Sequence, residues 1–155
     1  MSPTVMSAKT RVLGGITVID TPLITRAMDY ARVHSEPYLF NHAVRSWLFA
    51  VRLGQLQGVP HDAEVVAVGT LLHDLGLTNG VTGPKRFEIE GADAARTFAR
   101  EQGLDDRRVQ LIWDTVALIP HLRSPSTKRR KLHSAPLASV STTAGRSTTG
   151  SHETR

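Results

Sequence analysis

The sequence predicts an all-α protein: a helical bundle, incomplete at its C-terminus, followed by a disordered tail. Three observations carry this. Apolar residues recur at three- and four-residue spacing between about residues 20 and 118. Proline and glycine fall between these periodic runs, and no alternating strand pattern of useful length and no internal repeat appears. Beyond Leu118 the periodicity stops, and ten of the last 22 residues are Ser or Thr. The expected organisation is an N-terminal extension over 1–19, a domain over 20–118 and a basic tail over 119–155.

The first helix opens in "DTPLITRAMDYARVH", with Asp20 or Thr21 as N-cap, Pro22 in the first turn and Leu23, Ile24, Met28 and Ala31 on one face. The second, "EPYLFNHAVRSWLFAVRLGQLQG", starts at Pro37 and stops before Gly58. The third spans about 62–75 behind Pro60, with Asp62 as N-cap and Gly76 as the residue that ends it. A glycine-rich loop, "GLTNGVTGPKR", follows and suits a mobile or site-lining segment. "RFEIEGADAARTFAREQG" forms the fourth helix and "LDDRRVQLIWDTVAL" the fifth, capped by Asp105.

Length and composition fit one soluble domain with its own core. There is no cysteine, which removes disulfides and thiolate metal sites and fits a reducing, cytoplasmic setting. The net charge of +5 belongs to the tail. Residues 1–120 hold 12 Lys/Arg against 13 Asp/Glu, whereas residues 121–155 hold 7 against one. Nucleic acid is therefore a plausible partner only through the tail, and the expected partner of the body is a small-molecule substrate.

The stretch "GTLLHDLGL" poses a problem of charge. Its helix is apolar all round, yet it ends on His73 and Asp74, with Asp74 in the last turn where the helix dipole is negative. Burying an unpaired carboxylate there costs several kcal/mol, so a cation must lie close, either an Arg or Lys or a metal ion. Gly69 and Thr70, one turn earlier, are small enough to leave room beneath the pair. A third ligand would come from a packed neighbour. His42, sharing a face with Leu39 and Phe49, is the candidate, although a histidine on an apolar face also reads as a satisfied core residue. The second "HD", His61–Asp62, reads as a loop histidine and a helix cap.

"NHAVRSW", then "VAVGTLLHDLGL" about 30 residues on, then "RFEIEGADAARTF", together resemble the HD-domain superfamily of metal-dependent phosphohydrolases, and most closely its cyanamide-hydratase-like branch. The resemblance implies a divalent metal, Zn, Fe or Mn, held by His42, His73 and Asp74. Asp74 would also orient the attacking water, and Arg45 would bind an anionic substrate or serve as a surface ion-pair partner. Glu88 and Glu90 would approach the site or cap a solvated helix start. The reaction implied is hydrolysis of a phosphoester or hydration of a nitrile by a metal-activated water. A fourth ligand, an Asp, is missing from its expected place, and Asp114 reads as a surface position.

The tail has a reading in the genetic code. Synonymous codons for residues 119–145, read one base earlier, permit a helix-like sequence containing an Asp where the fourth ligand is expected. A frame change near codon 118 would make the chain an impaired enzyme and leave Trp47, Leu72 and Trp113 exposed. The alternative is a non-catalytic helical module whose basic run at 128–131, "KRRK", contacts nucleic acid or another anionic partner.

Overall fold

The computed structural model describes residues 8–81 and 83–123. Their order is β1 (Thr10–Leu13), β2 (Ile16–Ile19), α1 (Pro22–His34), α2 (Pro37–Gln57), α3 (Ala63–Leu71), a short 3-10 turn (Leu75–Leu77), α4 (Phe87–Glu101) and α5 (Asp106–Arg123). The fold is all-α apart from one hairpin.

That hairpin lies in the N-terminal extension and corrects the expectation that the sequence holds no strand of useful length. β1 and β2 pair antiparallel with Leu13 opposite Ile16. Gly14 and Gly15 turn the chain at φ 54° and 78°, the left-handed pair that a two-residue hairpin needs. The signal was present as Gly-Gly between two β-branched runs, each too short to register as alternation. Val18 buries itself against the bundle, and Gln55 Nε2 on α2 donates to Thr17 O at 2.8 Å.

Local chemistry sets the helix starts. Thr21, not Asp20, caps α1, its hydroxyl accepting from Ile24 N. Asp20 instead faces Lys9 and Arg11 of the hairpin at 3.3 and 3.6 Å. Asp62 caps α3 by accepting from Glu64 N and Val65 N, both at 3.1 Å. The same carboxylate receives Arg108 of α5 through Nε at 2.9 Å and Nη2 at 3.1 Å, so one residue both starts α3 and ties it to α5. Asp105 caps α5 by accepting from Arg108 N.

α5 continues to Arg123 rather than ending near Leu118. Loss of apolar periodicity marks where a helix stops burying a face, not where its backbone bonds stop. The remainder of the expected tail, with "KRRK", lies outside the described residues.

Trp47 and Leu72 are fully buried, with Ile24, Leu71, Leu75, Ile112 and Val116 around them. Trp113 is half-buried, its Nε1 donating to Asp93 Oδ1 at 2.9 Å and Arg96 stacked over its ring. The expected exposure of these three side chains is therefore wrong. Among the described residues, α2 packs on α3, β2 and α1, and the turn after α3 packs on α4.

Asp62 tests the tie between α3 and α5. Burial pushes its carboxyl up, but the hydrogen bonds from Arg108 and from the first turn of α3 outweigh this and hold it below the usual carboxylate value. A depressed folded value stabilises the protein fully above the unfolded value of about 3.9 and loses that contribution as pH falls through the folded value. Asp62→Ala is expected to cost about 1 kcal/mol near neutrality from the cap alone. It should also weaken the loss of stability below about pH 4, since one carboxylate fewer must be protonated. Urea unfolding of both proteins at pH 7 and pH 3 measures this, and an unchanged difference between the two pH values would contradict it.

Candidate metal centre

α3 stops earlier than its sequence suggests. The last helical residue is Leu71, and Leu72 N still bonds to Val68 O, but the next backbone bonds are the shorter Leu75 N to Leu72 O and Leu77 N to Asp74 O. His73 and Asp74 therefore sit in a tight turn beyond the helix, not in its last turn. Gly76 is not a left-handed helix stop, since its φ is not positive. It is glycine because α4 lies against it: a Cβ there would come within 1.7 Å of Phe87 O and 3.1 Å of Gly91 N. Gly91 mirrors it, with Gly76 N at 2.8 Å from its own hypothetical Cβ. Gly69 likewise makes room for Thr115 of α5 (2.6 Å) rather than for an ion, and the Thr70 hydroxyl turns back onto Val66 O and Ala67 O.

The end of α3 orients His73. Its Nδ1 lies 2.6 Å from Thr70 O, one of the carbonyls a helix end leaves without an internal partner. A carbonyl only accepts, so Nδ1 carries the proton of this bond and Nε2 is the nitrogen turned toward Asp74. His73 is 1% exposed and Nε2 has no hydrogen-bond partner, yet Asp74 Oδ2 is 3.1 Å away. His73 Nε2 and the Asp74 carboxylate thus face a shared point. His42 Nε2 approaches the same Oδ2 at 3.4 Å, and the two imidazole rings lie 5.5 Å apart, tilted by 52°. One ligand atom from each of the three residues lies within 4.8 Å of the others, the one such group among the described residues.

The other sequence candidates lie elsewhere. Arg45 is exposed on α2, one turn beyond His42. Glu88 is buried on the inner face of α4 and accepts from Arg86 at 2.7 Å, and Glu90 accepts from Lys85 N. Asp114 accepts from Gln110 on its own helix. Thr70 was missed by sequence reasoning. Its contribution is a backbone carbonyl, for which the only sequence signal is a position three residues before a histidine.

The start of α2 and the loop after Asp74 enclose a cavity of about 250 Å³, lined by His34, Glu36, Tyr38, Leu39, Leu77 and Asn79. Two imidazoles and a carboxylate suit a borderline divalent ion, and an imidazole fixed through its other nitrogen by a carbonyl is the support such a ligand ordinarily has.

A family model described as HD domain matches residues 39–141, about two-thirds of the chain. The match includes α2, the turn after α3, α4 and α5, and runs past both the expected boundary at 118 and the described residues. No curated relative and no solved structure matches.

The Gly76–Gly91 approach yields a direct test. Gly76→Ala must push backbone against backbone and is expected to destabilise by about 3 kcal/mol. Gly80→Ala, with open space around its Cβ and no left-handed backbone, should stay within about 0.5 kcal/mol of the parent. Denaturant midpoints measure both, and equal effects would remove the close approach as the reason for Gly76.

Proposed function

Because the chain belongs to the HD-domain family, we propose that His42, His73 and Asp74 hold a divalent cation, Zn, Fe or Mn, and that the protein is a metal-dependent phosphohydrolase-like enzyme acting on a small anionic substrate. The observation that carries this reading is the convergence of one ligand atom each from His42, His73 and Asp74 within 4.8 Å of one another. Two imidazole nitrogens and a carboxylate oxygen grouped this closely form a donor set that a divalent ion can share.

A divalent cation supplies Lewis acidity at such a centre, lowering the pKa of a water toward neutrality and screening charge on a phosphoryl oxygen. The residues of the chain do the rest. Thr70 O holds the His73 ring in one tautomer and one orientation. The Asp74 carboxylate would accept a proton from a water and align it. Arg45, exposed one turn beyond His42, is the side chain proposed to meet a phosphoryl group, since a planar guanidinium matches two phosphate oxygens. The cavity at the start of α2, with apolar Leu39 and Leu77 beside Tyr38 and Asn79, offers space for the non-reacting part of a small substrate.

The sequence block around "RFEIEGADAA" favours a second reading, nitrile hydration as in the cyanamide-hydratase-like branch. The same water and the same Asp74 would serve, but a neutral nitrile would gain little from Arg45.

Elemental analysis of purified protein, with a phosphomonoester panel and cyanamide as substrates, tests the proposal. The expected result is a bound transition metal, turnover of one class, and loss of both in His73→Ala. His42→Ala is the companion variant because its side chain is 36% exposed and its removal leaves the core intact. Metal retained by both folded variants would overturn the assignment. Turnover of cyanamide without phosphomonoesters would replace the first reading by the second.

A further inference from the structure

The loop that leaves the turn after α3 carries Asn79–Gly80 at its tip. Val81 N donates to Thr78 O at 3.1 Å and closes a β-turn, so Asn79 and Gly80 hold its two central positions. Both are exposed. Among the described residues, neither the Asn79 side-chain amide nor the Gly80 backbone N–H has a hydrogen-bond partner. Nothing in the fold asks for glycine at 80. Its φ is not positive, and a Cβ built on it would meet no atom within 4 Å. What glycine leaves there is an unhindered backbone nitrogen directly after an amide side chain.

We propose that Asn79 is a site of spontaneous deamidation, and that the reaction puts a carboxylate on the wall of the cavity beside Asp74. The Gly80 nitrogen attacks Asn79 Cγ, forming an N–Cγ bond as the Cγ–Nδ2 bond breaks. The Gly80 N–H proton passes through water to the departing amine, which leaves as ammonia. Water then opens the resulting succinimide at one of its two carbonyls. Opening at Cγ breaks the new bond and leaves an aspartyl residue. Opening at the backbone carbonyl leaves an isoaspartyl residue, with the chain running through the former side chain. Nothing is oxidised or reduced, and water is the co-reactant.

Either product replaces a neutral amide by an anion. Asn79 lines the cavity together with Glu36, Tyr38 and Leu77, so the new charge joins that of Glu36. The isoaspartyl form also inserts a methylene into the turn. Thr78 carries that change inward, because its N–H and hydroxyl donate to Leu75 O at 3.0 and 2.7 Å, beside the turn that holds Asp74. Asn41, the other asparagine of the chain, is the internal comparison. It too is exposed, but His42 follows it within α2, where the backbone N–H is held in the helix ladder.

The test is incubation of the full chain at mildly alkaline pH, followed by trypsin, which separates the two asparagines on peptides ending at Arg45 and Lys85. The peptide ending at Lys85 should gain the mass of acid for amide at Asn79 and become a substrate for isoaspartyl methylation, while the peptide ending at Arg45 stays unchanged. Asn79→Gln should abolish the conversion, its longer side chain having to close a larger ring. Gly80→Ala should slow it about tenfold, or about 1.4 kcal/mol on the barrier. The effect on substrate rests on the function proposed above: aged protein and Asn79→Asp should both raise KM for a phosphomonoester. The mass change does not rest on it, so the two can fail separately. Conversion of both asparagines at one rate, conversion only in urea, or an undiminished rate in Gly80→Ala overturns the deamidation site. An unchanged KM in turning-over aged protein overturns its effect on the cavity.

Discussion

One hydrogen bond organises the region on which the function depends. The carbonyl of Thr70, left over at the end of α3, is taken by the imidazole of His73 instead of by a backbone amide or a water. Taking that bond commits the ring to one tautomer and aims Nε2 away from the helix. Beyond it the chain leaves helical geometry, and Leu75 N and Leu77 N bond three residues back rather than four. Asp74 is delivered beside the ring by the same turn. Had α3 continued through residue 75, the two side chains would diverge by about 100° and could not share one ion so closely.

The turn is held against α4 by the absence of side chains. Gly76 and Gly91 meet backbone to backbone, which sets the 3-10 turn on the first turns of α4. Two backbones this close cannot slide without a clash, so the position of Asp74 is fixed from the far side by packing that no polar contact supplies. On the near side, α2 is anchored by Trp47 in the core. His42, five residues before Trp47, inherits that rigidity. The three residues thus come from an anchored helix and a pinned turn, the arrangement that a preorganised metal site requires.

Much of this was legible in the sequence. The helices could be placed because Pro22, Pro37, Asp62, Asp105, Gly58 and Gly103 mark starts and stops by known backbone preferences. His42, His73 and Asp74 were singled out by a charge argument and by ordered motifs, and the structure does bring them together. The end of α3 was not legible, because nothing in "TLLHDLG" distinguishes a helical turn from a tighter one until the fate of the Thr70 carbonyl is known. Gly76 misled for the same reason: a helix stop and a close-packing contact use the same residue type. The hairpin escaped because a four-residue strand offers only two residues per face.

α2 then has two faces with different obligations. Its inner face, Leu39, Ala43 and Trp47, secures the bundle and cannot vary without leaving a cavity. Its outer face carries aromatic and aliphatic side chains at a helical period, where solvent alone would favour charge. His42 stands where the two faces meet, so whatever covers the outer face also determines how the centre meets water. An open edge leaves the Asp74 carboxylate partly solvated and its field screened. A covered edge lowers the local dielectric and strengthens the field of the Asp74 carboxylate. Burial of this edge, rather than any further residue in the turn, is therefore the variable that sets how strongly the cluster would attract a cation.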